Sequence, residues 1–335
     1  MPAPGPTIAD IARAAEVSTA TVSHALNGTG RLGEGTRRRV RDTAAALGYG
    51  VHRGPRTRTL GLAVTTYADS AWDYAGIAYY SRLLLAATSA AHAHGYALTT
   101  LPADRGAEPL WHTLAVDGML LLDSPQRDPV LRALRARGLP VVFDGRPADP
   151  RPGDVWVDND HAATTREVLD HLAASGARRI ALHAGFGEEH YTGAVTSAYG
   201  HWCAERGQPA LVVPFHPADE GGHAFDAAFT APGATRPDAV YSLYDPGARQ
   251  VLAAAARHGL RTPGDLLLVC VSEDPRYAAQ EPPVTTVTLD PERTAVTAVS
   301  ALVEMVESGH AEPPGQRTVP AGLRVRASSS PPGMY

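Results

Sequence analysis

The stretch TIADIARAAEVSTATVSHALNGTGRLGEGTRRRVRDTAAALGY, residues 7 to 49, decides how this chain begins to fold. Thr7 followed by Asp10 is typical of a capped helix start. Apolar residues then recur at helical spacing as far as Ala15. The pattern therefore predicts a first helix from about 8 to 15.

Two more helices follow in the same stretch. Ser18 is a good N-cap for a second helix, Thr19 to Leu26, and Asn27 to Gly30 predict a loop. A third helix is expected from about 34 to 47, ending before Gly48. Two short helices with a tight turn and a packing third helix are the helix-turn-helix plan, whose second helix enters the major groove of DNA.

The net charge of -5 hides an uneven distribution of charge along the 335 residues. Residues 1 to 60 hold nine arginines and four acidic residues, whereas the remainder holds 21 arginines and 31 acidic residues. A basic head on an acidic body suits a polyanion, because phosphate neutralisation gives sequence-independent affinity for nucleic acid. Charge alone fits a solvated arginine-rich helix equally well.

The head resembles that of the LacI/GalR family of bacterial transcription regulators. The resemblance is carried by Val17-Ser18, Thr21-Val22-Ser23, Leu26-Asn27, Thr36-Arg37 and Gly48-Tyr49. It implies that Thr19, Ala20 and His24 read bases. It also implies backbone contacts, mostly to phosphates, from Ser18, Thr21, Ser23, Asn27, Arg31 and Thr36, with Tyr49 and Arg53 added to the predicted DNA contacts. His24 stands where the family commonly has Arg, so we expect either a different operator preference or an exposed histidine without a base contact.

The predicted linker, residues 49 to 60, is several residues shorter than the family pattern, and Gly54-Pro55 breaks any helix in it. The leucine that the family inserts into the minor groove is missing, so unstacking of a central base step is not expected. Arg53, Arg56 and Arg58 remain to bind phosphates or a minor groove. Alternatively, the segment is only a flexible tether.

From Leu60 onward, short apolar runs alternate with helical patterns, which predicts an α/β fold with parallel sheets flanked by helices. The family resemblance continues through VDGMLLL at 116 to 122, PVVFDGRP at 140 to 147 and residues 155 to 185. It implies a two-lobed, periplasmic-binding-protein-like body. The expected division is a head at 1–48, a linker at 49–60 and a body at 61–335. One lobe takes about 61–157 with 286–319, and the other takes 158–285 with 320–330.

Ligands of such sheets lie at the carboxyl ends of the strands. The expected effector-binding residues are Thr65, Tyr67, Trp72, Tyr79, Tyr80, Asp123, Asp144, Arg146, Gly193, Tyr244, Asp245 and Ser272. The family's sugar-holding arginine is absent from residues 193 to 199, and Ser272 stands where a carboxylate is common. These departures predict fewer charged groups and a sugar-like, glycoside or other less polar ligand. The aromatic residues of 67 to 80 form either a stacking wall or packing beneath a helix.

Catalytic, nucleotide-binding and metal-binding motifs are not found, so neither enzyme activity nor a cofactor or metal is expected. His183, Glu188, Glu189 and His190 fit a solvated loop better than a metal site. Cys203 and Cys270 are expected to be buried. Without an export signal or membrane span, the chain is expected to be soluble and cytoplasmic.

Together these features predict a sequence-specific DNA-binding transcriptional regulator, most simply a repressor. It would bind a near-palindromic double-stranded operator as a homodimer and respond to a small-molecule effector in the cleft. Two alternatives remain: an effector-independent DNA-binding regulator, and a solute-binding protein of the same body fold, which the head does not fit.

Overall fold

A computed structural model describes residues 7–26, 32–47, 56–65, 74–101, 108–185, 189–308 and 316–330. The head contains the three predicted helices: α1 (Ile8–Ala14), α2 (Thr19–Leu26) and α3 (Glu34–Ala46). Their inward faces bury Ile11, Val22 and Val40 completely. The helix-turn-helix prediction is therefore confirmed at this level.

Side-chain caps explain where α1 and α2 begin. The Thr7 hydroxyl accepts a hydrogen bond from the Asp10 backbone N–H at 3.3 Å, and the Asp10 carboxylate accepts one from the Thr7 N–H at 2.8 Å. The Ser18 hydroxyl accepts from the Thr21 N–H at 3.0 Å. Between the helices, Glu16 has a φ of 53°, the left-handed region that closes the turn.

The body contains two six-stranded sheets. The first has the order β11-β5-β4-β3-β1-β2 and the second β12-β10-β9-β8-β6-β7. The strands of the first sheet are β1 (Thr59–Val64), β2 (Ala97–Thr100), β3 (Gly118–Leu122), β4 (Val141–Asp144), β5 (Val155–Asp158) and β11 (Arg317–Thr318). Those of the second are β6 (Ile180–Ala184), β7 (Val212–Pro214), β8 (Ala239–Ser242), β9 (Leu267–Val271), β10 (Thr285–Thr288) and β12 (Gly322–Arg324). The pairing is parallel except between β10 and β12.

Helices cover both faces of each sheet, as parallel sheets require. The helices on the first sheet are α4 (Ala78–Ala93), α5 (Glu108–Thr113), α6 (Pro129–Ala136) and α11 (Pro291–Ser308). Those on the second are α7 (His161–Ala174), α8 (His190–Glu205), α9 (Asp226–Phe229) and α10 (Gly247–Arg257). The predicted α/β class is confirmed.

The chain crosses between the sheets after β5, after β10 and between β11 and β12. The crossover that the sequence places near Thr286 lies beyond Thr288, because β10 pairs with β9 and β12 in the second sheet. Three connections between two lobes leave a cleft at the carboxyl ends of their strands. That arrangement brings residues from distant parts of the chain to one place.

Two smaller expectations concern the whole chain. Cys203 and Cys270 are both buried, as predicted. In the described part of the chain, every helix is too short or too polar to cross a bilayer.

Candidate functional site

The N-terminal half of α2 presents short side chains on its outer face. Ser18, Thr19, Ala20 and His24 are exposed, whereas Val22 on the opposite face is fully buried. Short side chains let a helix backbone come close to base edges in the major groove, and the longer His24 extends from the same face. This surface is the candidate DNA-binding face.

The residues expected to hold phosphates surround that face. Thr21, Ser23 and Thr36 are half-buried, and the Thr21 hydroxyl lies 2.8 Å from that of Ser18. Arg38 and Arg39 are exposed on α3. Asn27, Arg31, Tyr49 and Arg53 lie outside the described residues.

Two linker arginines are placed against the body and not towards DNA. Arg56 donates to the carbonyl oxygens of Val306 and Glu307 at 3.4 and 3.2 Å, at the end of α11. The Arg58 guanidinium lies 3.7 Å from the Glu307 carboxylate and 5.2 Å from the centre of the Tyr96 ring. Cations suit the C-terminus of a helix because of its dipole. Arg56 and Arg58 therefore contact the body in this structure, and their binding to phosphates or a groove stays a prediction.

A cavity lies between the two lobes, at the carboxyl ends of β3, β4 and β5 and of β7, β8 and β9. It encloses about 920 Å³, counting the part that opens to solvent. Its lining combines aromatic rings with six acidic side chains. The aromatic residues are Tyr79, Tyr80, Tyr191, Phe215 and Tyr244, and the acidic residues are Asp123, Asp144, Asp158, Glu189, Asp245 and Glu273.

The first lobe contributes two carboxylates held by tyrosines. The Tyr79 hydroxyl donates to the Asp144 oxygens at 2.9 and 3.0 Å, and the Tyr80 hydroxyl donates to Asp123. Burial, outweighing the Tyr80 hydrogen bond and reinforced by Glu189 and Asp158, raises the pKa of Asp123 to about 7. Burial and the neighbouring Asp123 raise the pKa of Asp144 well above its usual value. These carboxyl groups therefore lie where ionisation is costly.

Asp158, at the point where β5 leads into the second lobe, behaves differently. Burial alone would raise its pKa, but His161, 2.7 Å away, and the backbone N–H groups of Arg146 and Asn159 lower it below the usual value. Asp158 is thus held in its ionised form. The Asn159 amide is bonded to the carbonyl oxygens of Leu289 and Val319, which fixes this crossover.

The second lobe faces these groups with Glu189, Tyr244 and Asp245. The Thr192 hydroxyl lies 2.8 Å from Glu189 and 2.5 Å from the Tyr244 hydroxyl, so the three form a chain along the cavity wall. Asp245 accepts from Ser272, and across the cleft from the Ala78 backbone N–H at 3.4 Å. Burial raises the pKa of Asp245 to about 6, against the lowering effect of the Ala78 N–H.

Arg82 also connects the lobes. From α4 it reaches Glu273 of the second lobe at 3.1 Å and Glu292 of α11 at 2.6 Å. The Glu273 side chain is almost fully buried and accepts further hydrogen bonds from Thr288 and the Leu289 N–H. A buried carboxylate with this many donors fixes the position of Arg82, so the pair holds the lobes together.

Family comparisons match both parts of the chain. Residues 7–50 match the family described as "Bacterial regulatory proteins, lacI family", and residues 169–329 match a periplasmic binding protein-like domain. The chain is therefore similar to LacI-family regulators in both its head and its body. The match to the head includes every residue of the candidate DNA-binding face.

The chain matches several transcriptional regulators over nearly its whole length and theirs. The HTH-type transcriptional regulator CelR of Thermobifida fusca is 27% identical over 96% of this chain and 98% of its own. The HTH-type transcriptional repressor PurR of Aliivibrio fischeri (strain MJ11) is 26% identical over 90% and 92%. A solved complex of CelR with cellobiose has a TM-score of 0.70, 25% identity and coverage of 96% and 99%. The lac repressor dimer bound to operator and an anti-inducer, at 19% identity and a TM-score of 0.67, shares the fold over 98% and 100%.

Seven of the effector residues expected from the sequence line the cavity: Tyr79, Tyr80, Asp123, Asp144, Tyr244, Asp245 and Ser272. Three lie elsewhere. Thr65 is buried and extends β1 through a bond to Leu122, Arg146 is exposed beside Trp156, and Gly193 is exposed on α8. Tyr67 and Trp72 lie outside the described residues.

Sequence reasoning missed His161, Glu189, Tyr191 and Phe215 as lining residues. The expected solvated loop is wrong for His183, which is 1% exposed, and for Glu189, which is 8% exposed. His183 lies near the end of β6, and Glu189 immediately precedes α8. These positions were the sequence signal for the burial of the two side chains. Asp158, Glu189 and Glu273 also line the cavity, in addition to the three predicted acids Asp123, Asp144 and Asp245. Within the described ranges, no histidine, cysteine or acidic residues form a group that would hold a metal ion.

Proposed function

We propose that this LacI-family regulator represses transcription by binding operator DNA through its head, as a homodimer, with an affinity set by a small molecule in the cleft. One observation carries the proposal: the exposed N-terminal half of α2 stands on a buried three-helix core in the same chain as a cavity between two lobes. Ser18, Thr19, Ala20, Thr21, Ser23, His24 and Thr36 make the DNA contacts, together with Asn27, Arg31, Tyr49 and Arg53.

The cleft supports control by an effector. A ligand that contacts both lobes stabilises one separation of the lobes over another, and this alters DNA affinity only if the two separations differ in their binding of DNA. The CelR complex with cellobiose provides a relative in which a small molecule is bound. We propose Tyr79, Tyr80, Asp123, Asp144, Tyr244, Asp245 and Ser272 as effector contacts, with Glu189 and His161 added from the structure.

Each part of the chain has its own role in this function. The head at 1–48 binds DNA. The linker at 49–60 couples the geometry of the lobes to the spacing between the two heads. The body at 61–335 binds the effector and forms the homodimer. No catalytic step belongs to this function. A protein that acts on the chromosome works in the cytoplasm.

Binding of the full chain to DNA from upstream of its own gene tests the proposal. Fluorescence anisotropy at a series of salt concentrations should give an affinity that falls steeply as salt rises, because arginine contacts displace counterions. Arg31→Ala should weaken binding at every sequence and reduce the salt slope by about 1. Arg166→Ala, on α7 of the second lobe, should leave the DNA affinity and its salt dependence unchanged. Absence of binding at low salt would contradict the proposal.

A further inference from the structure

We propose that the effector carries a protonated amine, and that its ammonium group binds among the carboxylates of Asp123, Asp144 and Glu189. This inference rests on the proposed function, since it takes the cavity between the lobes as the effector site. It concerns the chemical class of the ligand, which neither the fold nor the family fixes.

The cavity has an excess of acidic groups over cationic partners. Of its six carboxylates, Asp158 is bonded to His161 and Glu273 to Arg82. Among the described residues, the other four make no ion pair and accept hydrogen bonds only from hydroxyls or backbone N–H groups. Buried carboxylates normally have a charged partner, because burial of an unpaired charge is costly. A cationic ligand supplies the missing partner.

Glu189 shows this most clearly. Its side chain is more than nine-tenths buried, yet it lines the cavity. Among the described residues its only hydrogen bond comes from the Thr192 hydroxyl, on Oε1. The second oxygen, Oε2, is left for a donor in the cavity. Asp123, Asp144 and Glu189 all line the same cavity, so one ligand group can approach all three.

The lining offers acceptors but few donors. Tyr79 and Tyr80 donate to carboxylates, and the Asn159 amide is bonded to two carbonyl oxygens. The described lining includes no arginine, and the chain has no lysine. A sugar hydroxyl both donates and accepts, so a neutral sugar would need donors from the protein. An ammonium group supplies three donors and no acceptor, which matches this lining.

The aromatic rings that line the cavity also suit a cationic ligand. Phe215 and Tyr244 lie 4.5 Å apart between ring centres, and Tyr191 meets Tyr244 edge-on at 6.3 Å. A cation near ring faces is stabilised by the ring quadrupole, and a ring-bearing ligand body packs on the same faces. Carboxylates and aromatic rings that line the same cavity therefore suit an amine on a cyclic or apolar body.

Thermal unfolding of the full-length protein without ligand tests the charge argument directly. If the acids repel one another until a cation arrives, Glu189→Gln should raise Tm at pH 8 by about 1 to 3 °C. Asp245→Asn provides a second neutral replacement, expected to act in the same direction. Glu167→Gln, an exposed site on α7, is the matched control and should show no comparable rise. An unchanged or lower Tm for both cavity variants would overturn the proposal.

A matched ligand pair tests the ammonium itself. The β-1,4-linked glucosamine disaccharide and cellobiose share their backbone but differ in the charge at each 2-position. We expect the amine to raise Tm more than cellobiose in the wild type, and Glu189→Gln to reduce the difference. Greater stabilisation by cellobiose would overturn the proposal, and if neither sugar shifts Tm, the ligand-free comparison decides. DNA binding by the wild-type chain without ligand is a separate readout, and its failure would contradict only the proposed function.

Discussion

His24 is the longest side chain on the exposed side of α2, among short neighbours. Arginine at this position would reach guanine O6 and N7 with two parallel hydrogen bonds, which are worth about 1–3 kcal/mol of discrimination. We therefore expect His24→Arg to shift the preferred half-site towards guanine at one position, measured by competition between operator variants. Arg31→Ala, at a predicted phosphate contact, should weaken all of those operators alike. An unchanged preference in His24→Arg would show that residue 24 does not face a base.

Asp123 should make stability depend on pH. Its folded pKa is about 7 and the unfolded value is about 3.9, so the native state binds the extra proton and stability is lost as pH rises from about 4 to about 7. Asp123→Asn removes this loss. The Tm of the variant should therefore exceed that of the wild type by an amount that grows from pH 5 to pH 7.5. A difference in Tm that stays constant over this pH range, as expected for the exposed control Glu167→Gln, would contradict the raised pKa of Asp123.

Individual cavity residues could be predicted where they follow a strand end. Asp144, Tyr244 and Ser272 occupy such positions, and parallel-sheet geometry brings them to one edge. Glu189 and His161 could not be found in this way, because they lie at the starts of helices in the second lobe. The approach of Glu189 to Asp123 depends on how far the lobes close, which local sequence does not encode.

At the scale of elements, α1 and α2 begin at comparable caps with different roles. Thr7→Ala and Ser18→Ala each remove a side-chain cap, so each should cost about 1 kcal/mol of head stability, measured by calorimetry. Only Ser18→Ala should also weaken DNA binding beyond that loss, because Ser18 lies on the candidate DNA-binding face. Equal effects of the two substitutions on DNA affinity would show that Ser18 acts only as a cap.

Helices and strands with strong periodicity were predictable within a few residues. The buried run GMLLL of β3 and the capped start of α1 each carry their own signal. In contrast, α5 has only six residues, and β11 only two. Elements this short form because neighbouring strands and helices hold them, so tertiary packing decides them and the local pattern does not.

At the scale of the whole molecule, Arg82 connects the lobes through Glu273. Arg82→Met would leave a buried carboxylate without its cation and remove a contact that exists only while the lobes are close. We expect a larger radius of gyration in small-angle scattering and a lower Tm. Arg206→Met is the control, because its partners Asp170 and Trp202 lie within the second lobe. An unchanged radius for Arg82→Met would show that other contacts set the separation.

The α/β class followed from alternating strands and helices, and the two-lobed plan from the family resemblance, but the charge of the cleft followed from neither. A basic head on an acidic body was visible from the composition. The clustering of six acids in one cavity appeared only when six separate parts of the chain met between the lobes.

The central claim is that the head reads a specific DNA sequence. Selection of bound duplexes from a random-sequence library by the full-length protein tests it without knowledge of the operator. The account predicts enrichment of a near-palindrome with half-sites about one helical turn apart, or a multiple of it. Recovery of no common sequence after repeated rounds at low salt would contradict it.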